Sequence, residues 1–176
     1  MSESFRQLLR ALPDFPEVLP DFEPAAAPAD PAELFRLWFD QALAAGVPQP
    51  NAFSLATVDA DGRPSSRMLI LKDIDHAGWL FATSRTSRKG RELSANPHAA
   101  LNFFWQQQGR QVRVAGSVAE LSAEASAADW QARPGADGGD NPDWQLYALQ
   151  PREIEFWQAR HSRRHLRHRF GPAELG

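Results

Sequence analysis

From Ala52 onward apolar and polar residues alternate with a period of two, and the alternation is interrupted at short intervals by turn residues. Residues 52–58, 65–72, 78–83, 99–105 and 110–121 therefore predict five strands, the first two joined by the turn Asp59-Ala60-Asp61-Gly62. Arg152-Glu153-Ile154-Glu155-Phe156-Trp157 alternates again and predicts a last strand. Several short strands broken by turn signals argue for an antiparallel barrel or sandwich rather than a doubly wound sheet. The chain also lacks a G-x-G-x-x-G run and a P-loop, which removes the commonest nucleotide-binding folds.

Helical signals flank these strands. Asp30-Pro31-Ala32-Glu33 supplies an N-cap, a proline at the first helical position and an acid in the first turn; Phe35, Trp38, Phe39 and Ala42 form the apolar face, and Gly46 before Pro48 ends it. Thr86 or Ser87 caps a second helix that stops near Asn96-Pro97, and Ser122 caps a short one through Trp130, closed before Pro134. Residues 12–30 are rich in proline, alanine and acids and predict an irregular arm, while 134–143 predict a mobile loop. The resulting layout is an irregular N-terminal arm over 1–30, one domain over 31–170 and a tail over 171–176.

Composition narrows the classes. Cysteine is absent, so disulfides, thiolate catalysis and cysteine metal sites are excluded. No apolar run approaches the ~20 residues of a membrane span, and the start Met1-Ser2-Glu3-Ser4-Phe5-Arg6 lacks a secretory pattern, so the expectation is a cytoplasmic protein with no membrane partner. The net charge of −3 argues against a general nucleic-acid surface. Five arginines and three histidines do crowd between Arg160 and Arg169, but no aromatics interleave with them, so a solvated terminus is favoured over nucleic-acid binding. His161, His165 and His168 share one face if this stretch is helical; without a carboxylate or cysteine partner, no metal is assigned.

The cations carry the chemistry. Only Lys72 and Lys89 are lysines, against seventeen arginines, and a compact ammonium does not substitute freely for a planar guanidinium. Lys72 closes the stretch Arg67-Met68-Leu69-Ile70-Leu71-Lys72. Lys89 lies in Thr83-Ser84-Arg85-Thr86-Ser87-Arg88-Lys89-Gly90, where hydroxyls, two cations and a helix N-terminus converge; that donor set suits a phosphate monoester better than a carboxylate. The alternative is an ordinary capped surface helix with solvated basic residues.

Taken in order, the arginine-apolar-lysine strand, the Ser87-Arg88-Lys89 helix start, the strand opening Arg110-Gln111-Val112-Arg113-Val114 and the ending Ile154-Glu155-Phe156-Trp157 resemble the pyridoxamine 5′-phosphate oxidase family over about residues 31–170. The resemblance implies an α+β, mainly antiparallel split β-barrel with flanking helices, forming a homodimer with FMN at its interface. It further implies FMN contacts from Arg67, Met68, Leu69, Lys72, Thr83, Ser87, Arg88, Lys89 and Gln111, with Trp157 and Arg169 reaching the flavin from the partner subunit. Residues five apart on a regular strand face opposite ways, so Arg67 and Lys72 serve one ligand only if a bulge or strand end falls between them.

On the substrate side the resemblance implies Lys72, Arg133, His165 and Arg167. The pattern departs there: its tyrosine position is Asp129, its serine position falls near Asp137, its arginine-x-histidine pair reads His165-Leu166-Arg167, and the stretch between Arg133 and Arg152, which normally brings a glutamine-serine pair to FMN, is short. No catalytic residue is assigned. Three readings follow: an FMN-dependent oxidase of the pyridoxamine 5′-phosphate type with molecular oxygen as acceptor, a flavoprotein of the same fold acting on another small aromatic or amine such as a dihydrophenazine, and a basic-tailed binding module without flavin.

Overall fold

The computed structural model describes residues 4–136 and 138–175. Eight antiparallel strands form one curled sheet: β1 (Ala52–Val58), β2 (Pro64–Ile70), β3 (Asp73–Asp75), β4 (Gly78–Ser84), β5 (His98–Trp105), β6 (Arg110–Glu120), β7 (Trp144–Gln158) and β8 (Leu166–Phe170). The order is β2-β1-β5-β6-β7-β4-β3, with β8 pairing β7. Around it lie α1 (Phe5–Ala11), α2 (Pro31–Ala44), α3 (Arg88–Ala95), α4 (Ala123–Gln131) and α5 (Pro172–Leu175). This is the expected mainly antiparallel α+β barrel. Among the described residues no helix is long and apolar enough to cross a membrane.

Strand alternation sorts the side chains onto two faces. Phe53, Leu55, Leu101, Phe103, Trp105, Val112, Val114, Ile154 and Phe156 point inward and are buried, and the Phe35–Trp38 face of α2 closes over them. Their aromatic rings meet at an angle, as in the Phe35–Trp79 and Trp38–Phe156 pairs, with centroids 4.6 and 5.2 Å apart. Arg110 is buried in the same layer with no carboxylate partner among the described residues. Its guanidinium lies over Trp38 and donates to Gln158, to Gln41 and to the carbonyl of Asp21, which ties the N-terminal arm to the barrel. Burial lowers its pKa to about 10.

Several expectations need correction. The arm is not irregular throughout, because Ser4 and Gln7 form a reciprocal capping box that starts α1. Residues 65–72 are not one strand: β2 stops at Ile70 and β3 starts at Asp73. That places the required strand end between Arg67 and Lys72. The last long strand is β7, fifteen residues beginning at Trp144, well before Arg152. Its first half escapes a period-two reading because both faces are covered: Tyr147 and Leu149 join the main core, while Leu146 and Ala148 join a second cluster packed against Ala125 of α4. Beyond Trp157 the chain turns and returns as β8, so the three histidines share no helical face, and the described residues contain no metal-binding group. The tail carries the short helix α5.

The register of β6 against β7 shifts between Ala115 and Gly116. There the strands approach so closely that a Cβ on Gly116 would lie 1.9 Å from the carbonyl oxygen of Gln150. Gly116→Ala should therefore force the bulge apart and lower unfolding stability by about 1–3 kcal/mol, the usual scale of overpacking, measurable as a lower urea midpoint.

Candidate functional site

Ser87 caps α3 with its Oγ, which accepts from the backbone N–H of Gly90 at 3.2 Å and donates to the carbonyl of Ser84 at 2.7 Å. Lys89 Nζ donates to the same hydroxyl at 3.3 Å. Gly90 is required by close approach, since a Cβ there would stand 2.5 Å from the carbonyl oxygen of Arg85. The first turn of α3 thus sits directly on the end of β4, just past the buried Thr83. Burial, and then the charge of Arg67 on β2, lowers the pKa of Lys89.

At the centre of these cations lies Glu92, which sequence reasoning missed. It is 5% exposed. Its carboxylate accepts from Thr57 Oγ1 at 2.5 Å, from Ser65 Oγ at 2.8 Å, from Arg88 Nε at 2.7 Å and from Arg67 Nη2 at 3.1 Å. These bonds, with Thr57 foremost, hold its pKa at about 2 against the opposing effect of burial. Of this network only the spacing of four between Arg88 and Glu92 on one helix is local; Thr57, Ser65 and Arg67 come from two other strands.

The remaining residues that the resemblance places at FMN lie elsewhere. Met68 points outward on β2, and the register carries one row across six strands: Met68, Ser54, Asn102, Arg113, Glu155 and Arg169. The neighbouring row holds Phe104, Gln111, Trp157 and Arg167. Gln111 donates to Asn102 at 2.7 Å, and Glu155 gathers Arg113, Arg167 and Arg169 at 2.9, 4.0 and 2.6 Å. Met68 is 64% and Phe104 52% exposed on this face. Within one chain, therefore, Arg67, Leu69, Thr83, Ser87, Arg88 and Lys89 group on the inward side and the α3 start. Met68, Gln111, Trp157 and Arg169 occupy the opposite face.

The residues that the resemblance places at the substrate divide in the same way. Lys72 forms a half-buried ion pair with Asp129 at 3.1 Å, and Asp129 also accepts from Trp144 Nε1 at 2.8 Å. Arg133 stacks on the Trp130 ring at 3.3 Å from its centroid and donates to the Trp130 carbonyl. His165 and Arg167 sit at the other end, near Trp157 and Glu155. Asp129, which stands at the tyrosine position of the resemblance, is thus the ion-pair partner of Lys72. Asp137 lies outside the described residues.

The Glu92 network makes a pH prediction. A carboxylate whose folded pKa is depressed contributes stability that is present above its ordinary value near 4.3 and lost as pH falls toward about 2. Acid unfolding of the wild type should steepen in that window. Glu92→Gln should lower stability at neutral pH and flatten the acid limb, as read by urea unfolding at a series of pH values.

Comparison with known proteins places the chain in a family. A family model described as pyridoxamine 5′-phosphate oxidase matches residues 39–158, and one described as the pyridoxine 5′-phosphate oxidase C-terminal dimerisation region matches residues 144–174. A pyridoxine/pyridoxamine 5′-phosphate oxidase of Bordetella petrii is 43% identical over 183 residues, covering 86% of this chain and 87% of its own. One from Cupriavidus taiwanensis is 44% identical over 169 residues, covering 77% and 80%. In structure, PhzG from Burkholderia lata 383, solved with tetrahydrophenazine-1-carboxylic acid, superposes with a TM-score of 0.81 at 29% identity, covering 90% of this chain and 94% of its own. The chain belongs to the pyridoxamine 5′-phosphate oxidase family.

Proposed function

We propose that this protein is an FMN-dependent oxidase that works as a homodimer on a small amine or aromatic substrate. The observation that carries this reading is the concentration of Ser87, Arg88, Lys89 and Arg67 at the start of α3, which fits the single terminal phosphate of FMN. The donor set suits the group: the terminal nitrogens of Arg88 have no partner among the described residues, and its side chain is 65% exposed. The chemistry that FMN supplies when bound is acceptance of a hydride from the substrate carbon, with the electrons passed on to molecular oxygen. Gln111, Trp157 and Arg169 would serve the ring end from the opposite sheet face, so a second copy is needed to complete a site that one chain divides. The outward Met68 and Phe104, and the match of residues 144–174 to a dimerisation region, support that assembly.

A second reading concerns the substrate. In a pyridoxamine 5′-phosphate oxidase reading, Lys72 and Arg133 hold the substrate phosphate and orient it. Here the Lys72 ammonium already faces Asp129, and Arg133 is stacked on Trp130. A phosphate entering must approach a carboxylate that Trp144 anchors, which favours a substrate without phosphate, such as the aromatic acid bound by the PhzG relative.

The protein should be yellow as purified and release FMN, not FAD, on denaturation; colourless protein that takes up no added FMN would sink the flavin reading. Wild-type turnover of pyridoxamine 5′-phosphate should be weak. Asp129→Tyr, by releasing Lys72, should raise kcat/KM for it by roughly tenfold or more, the scale of one charged hydrogen bond. Robust wild-type turnover would remove the case for a non-phosphorylated substrate.

A further inference from the structure

Glu92 contributes a negative charge where the proposed function requires an anion to bind, and the geometry explains why it is there. The four Nη-edge contacts of Arg67 run to Leu55, Thr57, Ser65 and Glu92, so its guanidinium is immobilised inside the protein. Arg88 is held differently: Glu92 takes only its Nε edge, and the two terminal nitrogens remain unpartnered among the described residues. Arg67, Arg88 and Lys89 are three cations against one carboxylate, leaving two positive charges. A phosphate monoester carries about −1.5 to −2 at pH 7.

We propose that Glu92 is the positioning residue of the phosphate cradle: it clamps Arg88 by Nε and Arg67 by Nη2, aiming the free fork of Arg88 at a phosphate monoester and setting the residual charge to match it. The inference rests on the flavin reading above. It is decided by a sign. Removing a carboxylate beside a bound phosphate strengthens binding through Coulomb's law alone, whereas releasing an exposed arginine from its anchor weakens binding. Positioning predicts that the second effect wins.

The experiment uses full-length protein stripped of flavin, with Glu92→Gln, Arg88→Gln and the double variant, and measures Kd for FMN and for riboflavin by fluorescence quenching. Glu92→Gln should weaken FMN binding about tenfold, one charged hydrogen bond's worth, and leave riboflavin binding unchanged. In the Arg88→Gln background the same substitution should cost much less, because Glu92 acts through Arg88. Thermal unfolding reports whether each variant is folded. If Glu92→Gln does not fold, Ser65→Ala, which loosens the carboxylate without removing it, should give a smaller loss confined to FMN. Tighter or unchanged FMN binding, equal losses for the two flavins, or additive effects of the two substitutions would each overturn the positioning role. A wild type that binds neither flavin overturns the functional reading itself, a result distinct from a wild type that binds FMN and variants that keep its preference.

Discussion

A carboxylate taken out of water costs several kcal/mol unless its lone pairs are satisfied. Glu92 meets that demand with donors from β1, β2 and α3, and much of the architecture at this end of the barrel follows from it. β2 is the end strand of the sheet path and pairs only with β1, so its outer edge receives no backbone bonds that would fix the placement of Arg67. α3 is eight residues long, too short to hold its own place by helical propensity. β2 is held along its inner edge by the β1 ladder and α3 by its buried Leu93, and the Glu92 contacts join the two elements.

The second constraint is the strict alternation of the strands. With one face committed to the aromatic core beneath α2, every second residue of β1, β2 and β5 to β8 must emerge on the other side. That face collects Gln111, Trp157 and the arginines around Glu155 on two adjacent cross-strand rows, beside exposed Met68 and Phe104. Exposed Met68 and Phe104 beside Trp157 and arginines match the aromatic, methionine and arginine enrichment of subunit interfaces. The division between two faces of the residues that the resemblance places at FMN has the same origin, because successive residues of a strand point to opposite sides.

The corner beside Lys72 is closed by a charge pair and by stacking. The carboxylate of Asp129 on α4 joins Lys72, beyond the end of β2, to Trp144 at the start of β7. The stacked Trp130 and Arg133 close the same corner. A charge pair and an aromatic sandwich thus stand where the resemblance places phosphate-binding side chains.

What the sequence determined by itself was local. The caps at Asp30, Ser87 and Ser122, the turn at Asp59 to Gly62, and the alternation of β1, β5 and β6 all depend on residues a few positions apart, so the elements and the cation-rich helix start were legible. The tertiary structure decided what depends on distant partners. Whether both faces of β7 are covered is set by α4 and the barrel together, which is why its first half showed no period. β8 is a strand because β7 offers it an edge, although its histidine spacing also suits a helix. Glu92 and Asp129 read as ordinary helix-surface acids until the fold brings Thr57 and Arg67 to one and Lys72 to the other. Charge partners separated by 25 to 57 residues leave no local pattern, and only the folded chain brings them within hydrogen-bonding distance.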